Sequence, residues 1–135
     1  MIVVDTQVVV YVTIDGPLSE LAERVLNRDA DWVAPILWRS EYFNVLAGQL
    51  RRGSILPSDA LGYARDAAAV IRTQVEPEPE SLIQLITQSR CTAYDLEYVA
   101  VAHSLGIPLV TNDQQILRDF PTIAVSLESF APGSA

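Results

Sequence analysis

Hydrophobic residues first gather in a short block, Ile2-Val3-Val4, closed by Asp5, and then in a second block, Val8 to Val12. The first reads as a buried strand, because it is short and apolar on both alternating faces. The second is β-prone in composition, but it starts only three residues further on, so a short helix running off the strand fits equally. From Pro17 to Asn27 the residues Leu18, Leu21, Ala22, Val25 and Leu26 recur at helical spacing. Asp31 to Ala34 is a strand candidate, and Pro35 then opens a helix that runs to about Arg52 and stops at Gly53. That helix is apolar over most of its circumference, which predicts burial on more than one side. Pro57-Ser58-Asp59 opens another, from about Ser58 to Arg72. Val75 to Glu80 reads as a connection with, at most, a short strand in it. Helices follow over Pro79 to Gln88 and Thr92 to Leu105, the latter ended by Gly106. Pro108 to Thr111 is a strand, Gln114 to Asp119 a short helix, and Thr122 to Val125 a last strand. Short strands alternating with helices predict an α/β fold with a mostly parallel sheet.

The length of 135 residues predicts one domain over residues 1–131, with Pro132 to Ala135 as a frayed tail. Half the residues are hydrophobic and 19% are charged, which excludes bulk disorder. No apolar run approaches the roughly 18–20 residues of a membrane span. No cationic segment precedes the first apolar blocks, so a secretory signal is not expected. The single cysteine, Cys91, can form neither an internal disulfide nor a zinc site by itself, which suits a reducing cytoplasm.

The formal net charge is −8, and all nine basic residues are arginine. The absence of lysine removes P-loop and Schiff-base chemistry. The charge argues against broad electrostatic affinity for nucleic acid, but clustered metal-binding carboxylates would themselves supply part of it. Motifs of serine hydrolases, dinucleotide-binding folds and zincins are missing.

Two strands end in an aspartate, Asp5 and Asp113, and ligands of open α/β sheets bind beyond the carboxyl ends of the strands. Either aspartate could instead be a helix N-cap. Glu41 stands on the apolar helix, with Leu37, Trp38, Asn44 and Val45 as its helical neighbours and no cation among them. A carboxylate there needs a tertiary charge partner, a metal or a proton, unless it is exposed. Asp95 lies third after Thr92 and fits a capping box, a use that also aims its carboxylate at the helix mouth. His103 has no second ligand at metal spacing and reads as a surface residue. Arg39, Arg51, Arg52 and Arg90 are the candidates for phosphate contact, with solvated faces as the competing role.

Ile2 to Thr6, the block from Pro35 to Asn44 around Glu41, and the run from Thr92 through Ala102 to Thr111-Asn112-Asp113 together resemble the PIN-domain family. Within it, the chain looks most like the VapC-type toxins of bacterial toxin–antitoxin pairs. The likeness covers nearly the whole chain, while Gly53 to Ser89 carries no family signature. Gln7 stands where the family more often has a small polar residue. The resemblance implies a three-layer α/β/α sandwich with strand order 3-2-1-4-5. It implies four metal-binding acids, Asp5, Glu41, Asp95 and Asp113, supported by the polar groups of Thr6, Asn44 and Thr111. It also implies Mg²⁺- or Mn²⁺-dependent RNA cleavage, a cognate antitoxin as partner, and a homodimer. Oxygen-only ligands suit those hard cations better than zinc. Without a cation the cluster is costly, since two charges ~4 Å apart repel by about 4 kcal/mol at an effective dielectric of ~20. Two other readings compete. One is a PIN-fold binding or scaffold protein with little turnover. The other is a phosphotransfer enzyme with Asp5 as nucleophile, which lacks both a second acid at Gln7 and a lysine.

Overall fold

The computed structural model describes residues 1–133; Ser134 and Ala135, the end of the expected tail, lie outside the described residues. Five strands form one sheet: β1 (Ile2–Val4), β2 (Trp32–Pro35), β3 (Ile71–Val75), β4 (Leu109–Val110) and β5 (Ala124–Val125). Their order is β3-β2-β1-β4-β5, and each neighbouring pair is parallel. An all-parallel sheet needs helices over it. The helices are α1 (Thr6–Thr13), α2 (Ser19–Arg28), α3 (Trp38–Arg51), α4 (Pro57–Val70), α5 (Pro79–Gln88), α6 (Ala93–Leu105), α7 (Gln114–Asp119) and α8 (Leu127–Phe130). Helix α6 lies against β1, β2 and β4 with α5 beside it, while α1 packs against α2, α3 and α4. The α/β class, the flanking helices and the expected strand order are all present.

The central strand β1 is fully buried, in register with Trp32 and Val33 on one side and with Leu109 and Val110 on the other. Most of α6 is buried as well, from Leu96 through Ala102 with only Glu97 half-buried, which is why its sequence shows no polar stripe. The helix ends at Gly106, whose φ of 66° is the left-handed conformation that glycine adopts without a Cβ penalty. Among the described residues no helix is long and apolar enough to cross a membrane.

The structure settles one element that the sequence left open and differs from the sequence reading at several others. The open question at Val8 to Val12 resolves as helix: Asp5 caps it by accepting the Val8 N–H at 3.2 Å, and packing of Val8 and Val9 outweighs their β propensity. The helix expected to reach Arg72 stops at Val70, and the chain enters β3 directly, ahead of the Val75 to Glu80 segment where a short strand was allowed. As an edge strand β3 pairs only with β2 and exposes Arg72, Thr73 and Gln74, so it lacks hydrophobic alternation. Pro35 closes β2 instead of opening the helix, and α3 starts at Trp38, fully buried along one stripe only, Trp38, Tyr42 and Leu46. Val45 is half-buried, Phe43 and Leu50 are exposed, and ahead of the helix Leu37 is half-buried and Ile36 exposed. Helix α8 was not foreseen, a four-residue turn capped by Ser126.

Candidate active site

Beyond the carboxyl ends of β1 and β4 the chain turns into helices, after Asp5 alone in the first case and after Thr111-Asn112-Asp113 in the second, so that Asp5 and Asp113 become N-caps. Asp5 accepts from Val8 N–H, and Asp113 accepts from Ile116 N–H at 3.0 Å. The cap reading and the site reading are therefore both satisfied, because the sheet edge where these helices start is also the mouth of a cleft of about 950 Å³. Asp5, Glu41, Asp95 and Asp113 all line that cleft, delivered by β1, α3, α6 and β4. Gln7, Tyr11, Asn44, Tyr94, Tyr98 and Asn112 line it too.

Hydrogen bonds hold these acids to different degrees. Asp5 accepts from Val8 through Oδ1 and from the Thr111 hydroxyl through Oδ2. The Thr111 hydroxyl also accepts from the Asp113 N–H at 3.1 Å, so one buried side chain ties the two strand-end aspartates together. Glu41 Oε1 accepts from Thr6 Oγ1 at 3.0 Å and from the Tyr98 hydroxyl at 2.6 Å. Thr92 caps α6 by accepting from Asp95 N–H at 3.1 Å. The reciprocal bond from Thr92 N–H to the Asp95 carboxylate is not formed, which leaves that carboxylate facing the cleft.

Burial and neighbouring charge raise Asp5 and Asp95. Burial pushes Asp5 up to about 6; the Thr111 and Val8 bonds oppose this, and the charges of Asp113 and Asp95 add to it. Asp95 is raised by burial and then by Asp113, with the Thr92 hydroxyl offsetting part and Glu41 adding to it. Tyr11 is raised by burial and by the charge of Asp5. Among the described residues no arginine lines the cleft. Arg39 lies over the Phe43 ring, 4.8 Å from its centroid, on the solvent side of α3. Arg51 and Arg52 are exposed at the far end of α3, and Arg90 lines a separate cleft with Asp119. Of the expected supporting groups, Thr6 and Thr111 contact the acids directly, and Asn44 lines the cleft.

The donor set is oxygen only, which fits a hard divalent cation. Among the described residues, however, no three acid, histidine or cysteine side chains stand close enough to enclose one ion. Mg²⁺ keeps much of its water and needs only one or two direct carboxylates, so a hydrated ion fits this cleft.

The sequence reading did not single out Tyr98. Its signal was present: a phenol in an otherwise apolar stretch must find a partner for its hydroxyl once buried.

The chain matches the PIN domain family model over residues 2–121 and belongs to that family, whose fold is generally that of nucleases. Its structure is similar to the crystal structure of PAE2754 from Pyrobaculum aerophilum, with a TM-score of 0.76 and 21% identity, covering 96% of this chain and 92% of that one. At that identity the likeness concerns the fold. No curated protein matches the sequence significantly.

Proposed function

We propose that the protein is a metal-dependent endoribonuclease and the toxin of a toxin–antitoxin pair. The observation that carries this is the convergence of four carboxylates from four elements on one cleft at the carboxyl edge of the sheet. Asp5, Glu41, Asp95 and Asp113 are the residues that would hold Mg²⁺ or Mn²⁺. When bound, the ion would lower the pKa of a water to make a nucleophile and offset charge in the transition state. Asp5 and Asp113 are fixed by Thr111 and by their caps, so they orient rather than search. The carboxylates repel the phosphates of free RNA, and with no cationic side chain among the described residues lining the cleft, substrate charge must be met by the metal or by a partner. An antitoxin bearing an arginine or lysine at the cleft would compete for the same carboxylates. The exposed Ile36, just ahead of α3, and Phe43 and Leu50 on α3 support an apolar contact with a second copy in a homodimer.

The test is cleavage of single-stranded RNA by purified protein with Mg²⁺ or Mn²⁺, against EDTA and against single-stranded DNA. Cleavage that needs the ion, prefers RNA and is lost in Asp113→Asn is the expected result. Equal cleavage in EDTA would sink the proposal. Asn still caps α7, so the loss in Asp113→Asn would come without unfolding.

Tyr94 is 64% exposed at the rim beside Asp95 and offers a stacking face for an unpaired base. Tyr94→Ala is expected to raise KM for single-stranded RNA by roughly fivefold, the low end of measured stacking energies, with kcat little changed. A KM equal to that of the wild type would remove Tyr94 from the binding surface.

A further inference from the structure

Tyr98 is 2% exposed and lies one turn beyond Asp95 on α6. Its hydroxyl stands 2.6 Å from Glu41 Oε1 and 2.5 Å from Thr6 Oγ1, and Thr6 Oγ1 is itself 3.0 Å from the same carboxylate oxygen. The phenol donates its only hydrogen to Glu41 Oε1, so Thr6 is the donor across the 2.5 Å contact, its one hydrogen shared between the Tyr98 oxygen and Oε1. A hydrogen bond to a charged acceptor is short and about twice as strong as a neutral one. Both hydroxyls converge on Oε1. Among the described residues Oε2 accepts no hydrogen bond, although Glu41 lines the cleft.

We propose that Tyr98 and Thr6 form a clamp that positions Glu41, fixing Oε1 so that Oε2 is the oxygen presented to the divalent ion. The proposal rests on the nuclease reading above and assigns Tyr98 a positioning role within it. The clamp spans three helices: Thr6 opens α1, Glu41 sits in the first turn of α3, and Tyr98 comes from α6. Helix α6 thus contributes twice, carrying Asp95 to the cleft and setting the rotamer of the acid on α3. A phenol placed only to fill the core could satisfy its hydroxyl on any neutral acceptor. Here it spends that hydrogen on the one acid of α3 that reaches the cleft.

The test compares wild type, Tyr98→Phe, Thr6→Val, Thr6→Ser and Glu41→Gln, with two readouts. One is the Mn²⁺ concentration for half-maximal RNA cleavage, and the other is the rise in melting temperature on adding Mn²⁺ without RNA. Tyr98→Phe keeps the ring and should raise the half-saturating Mn²⁺ roughly tenfold, the lower range for losing a partner of a metal ligand. It should also shrink the Mn²⁺-induced rise in melting temperature. Thr6→Val should act in the same direction, and Thr6→Ser should restore the wild-type response. In a Glu41→Gln background, Tyr98→Phe should have no further effect on the Mn²⁺-induced rise in melting temperature. A merely structural tyrosine would lower the metal-free melting temperature in both backgrounds and leave the Mn²⁺ response intact. That result, or a wild-type Mn²⁺ response in Thr6→Val, overturns the clamp while the nuclease reading stands. Wild-type protein that neither cuts RNA nor is stabilised by Mn²⁺ overturns both.

Discussion

Asp5→Asn is expected to raise the melting temperature of the metal-free protein at neutral pH while lowering RNA cleavage by two orders of magnitude or more. The sign follows from the carboxyl's environment. Burial, Asp113 and Asp95 push Asp5 up to about 6, whereas in the unfolded chain it titrates near 3.8. Folding therefore favours the protonated acid. Above pH ~6 the folded state bears the full cost of keeping the charge, up to about 3 kcal/mol. That cost fades as pH falls through 6 and is gone below the unfolded pKa. Asparagine removes the charge and can still accept the Val8 N–H, but it offers its amide where Oδ2 now accepts from Thr111. The net gain is thus smaller, about 1–2 kcal/mol near pH 7.5, and it should vanish near pH 4. Mn²⁺ should reverse the order, stabilising wild type by about 2.7 kcal/mol at a hundredfold excess over Kd and the variant much less. Melts of both proteins at two pH values, with and without Mn²⁺, provide the check. A variant destabilised at neutral pH, or shifted by Mn²⁺ as far as wild type, would return Asp5 to a plain capping role.

The parts of this fold legible in the sequence were those where one physical demand acted alone. Ile2 to Val4 is buried on both faces in the middle of a parallel sheet, and its unbroken apolar run says so. Helix α6 announced both its ends, through Thr92 and Gly106. The strand β3 was hidden because it follows Ala67-Ala68-Ala69-Val70 with no turn residue, and its exposed middle carries only polar side chains. The placement of the acids was legible in part. Strand-end aspartates must lie at one edge of a parallel sheet, which brought Asp5 and Asp113 together from topology. Glu41 entered as an acid without a helical counter-charge, and the structure puts it in contact with Thr6 and Tyr98. Thr6 and Thr111 were expected among the supporting groups, but the third hydroxyl could not be read, since the pairing of Tyr98 with Glu41 joins residues 57 apart. The arginines show the opposite limit: charge type suggested phosphate contact, but helical phase turns Arg39 toward Phe43 and away from the cleft.

Thr111→Val should be the most damaging conservative change at the site, because this fully buried hydroxyl serves both strand-end aspartates. Valine fills the same volume, so no cavity term enters. The hydroxyl's loss strips a donor from Asp5 and an acceptor from the Asp113 N–H. Two part-buried groups then lack partners, at about 1–3 kcal/mol for a neutral group and more for a charged one, partly offset by the added methyl. We expect a net loss of about 2–4 kcal/mol near pH 7.5. The Thr111 bond is the largest influence holding the Asp5 pKa down, so its removal raises that pKa further. The folded state of the variant then holds a proton on Asp5 to higher pH than wild type, and the stability deficit should narrow as pH falls from the variant's raised pKa to about 6, then stay level. Thr111→Ser keeps the hydroxyl and should stay within about 1 kcal/mol of wild type at both pH values. Urea unfolding of the three proteins at about pH 7.5 and about pH 5 measures this directly. A valine variant as stable as wild type near pH 7.5, or a deficit that grows on acidification, would mean that the hydroxyl does not stabilise the ionised Asp5. Cleavage by Thr111→Val should fall together with its Mn²⁺ affinity, because an acid that holds its proton competes with the ion for the same oxygens.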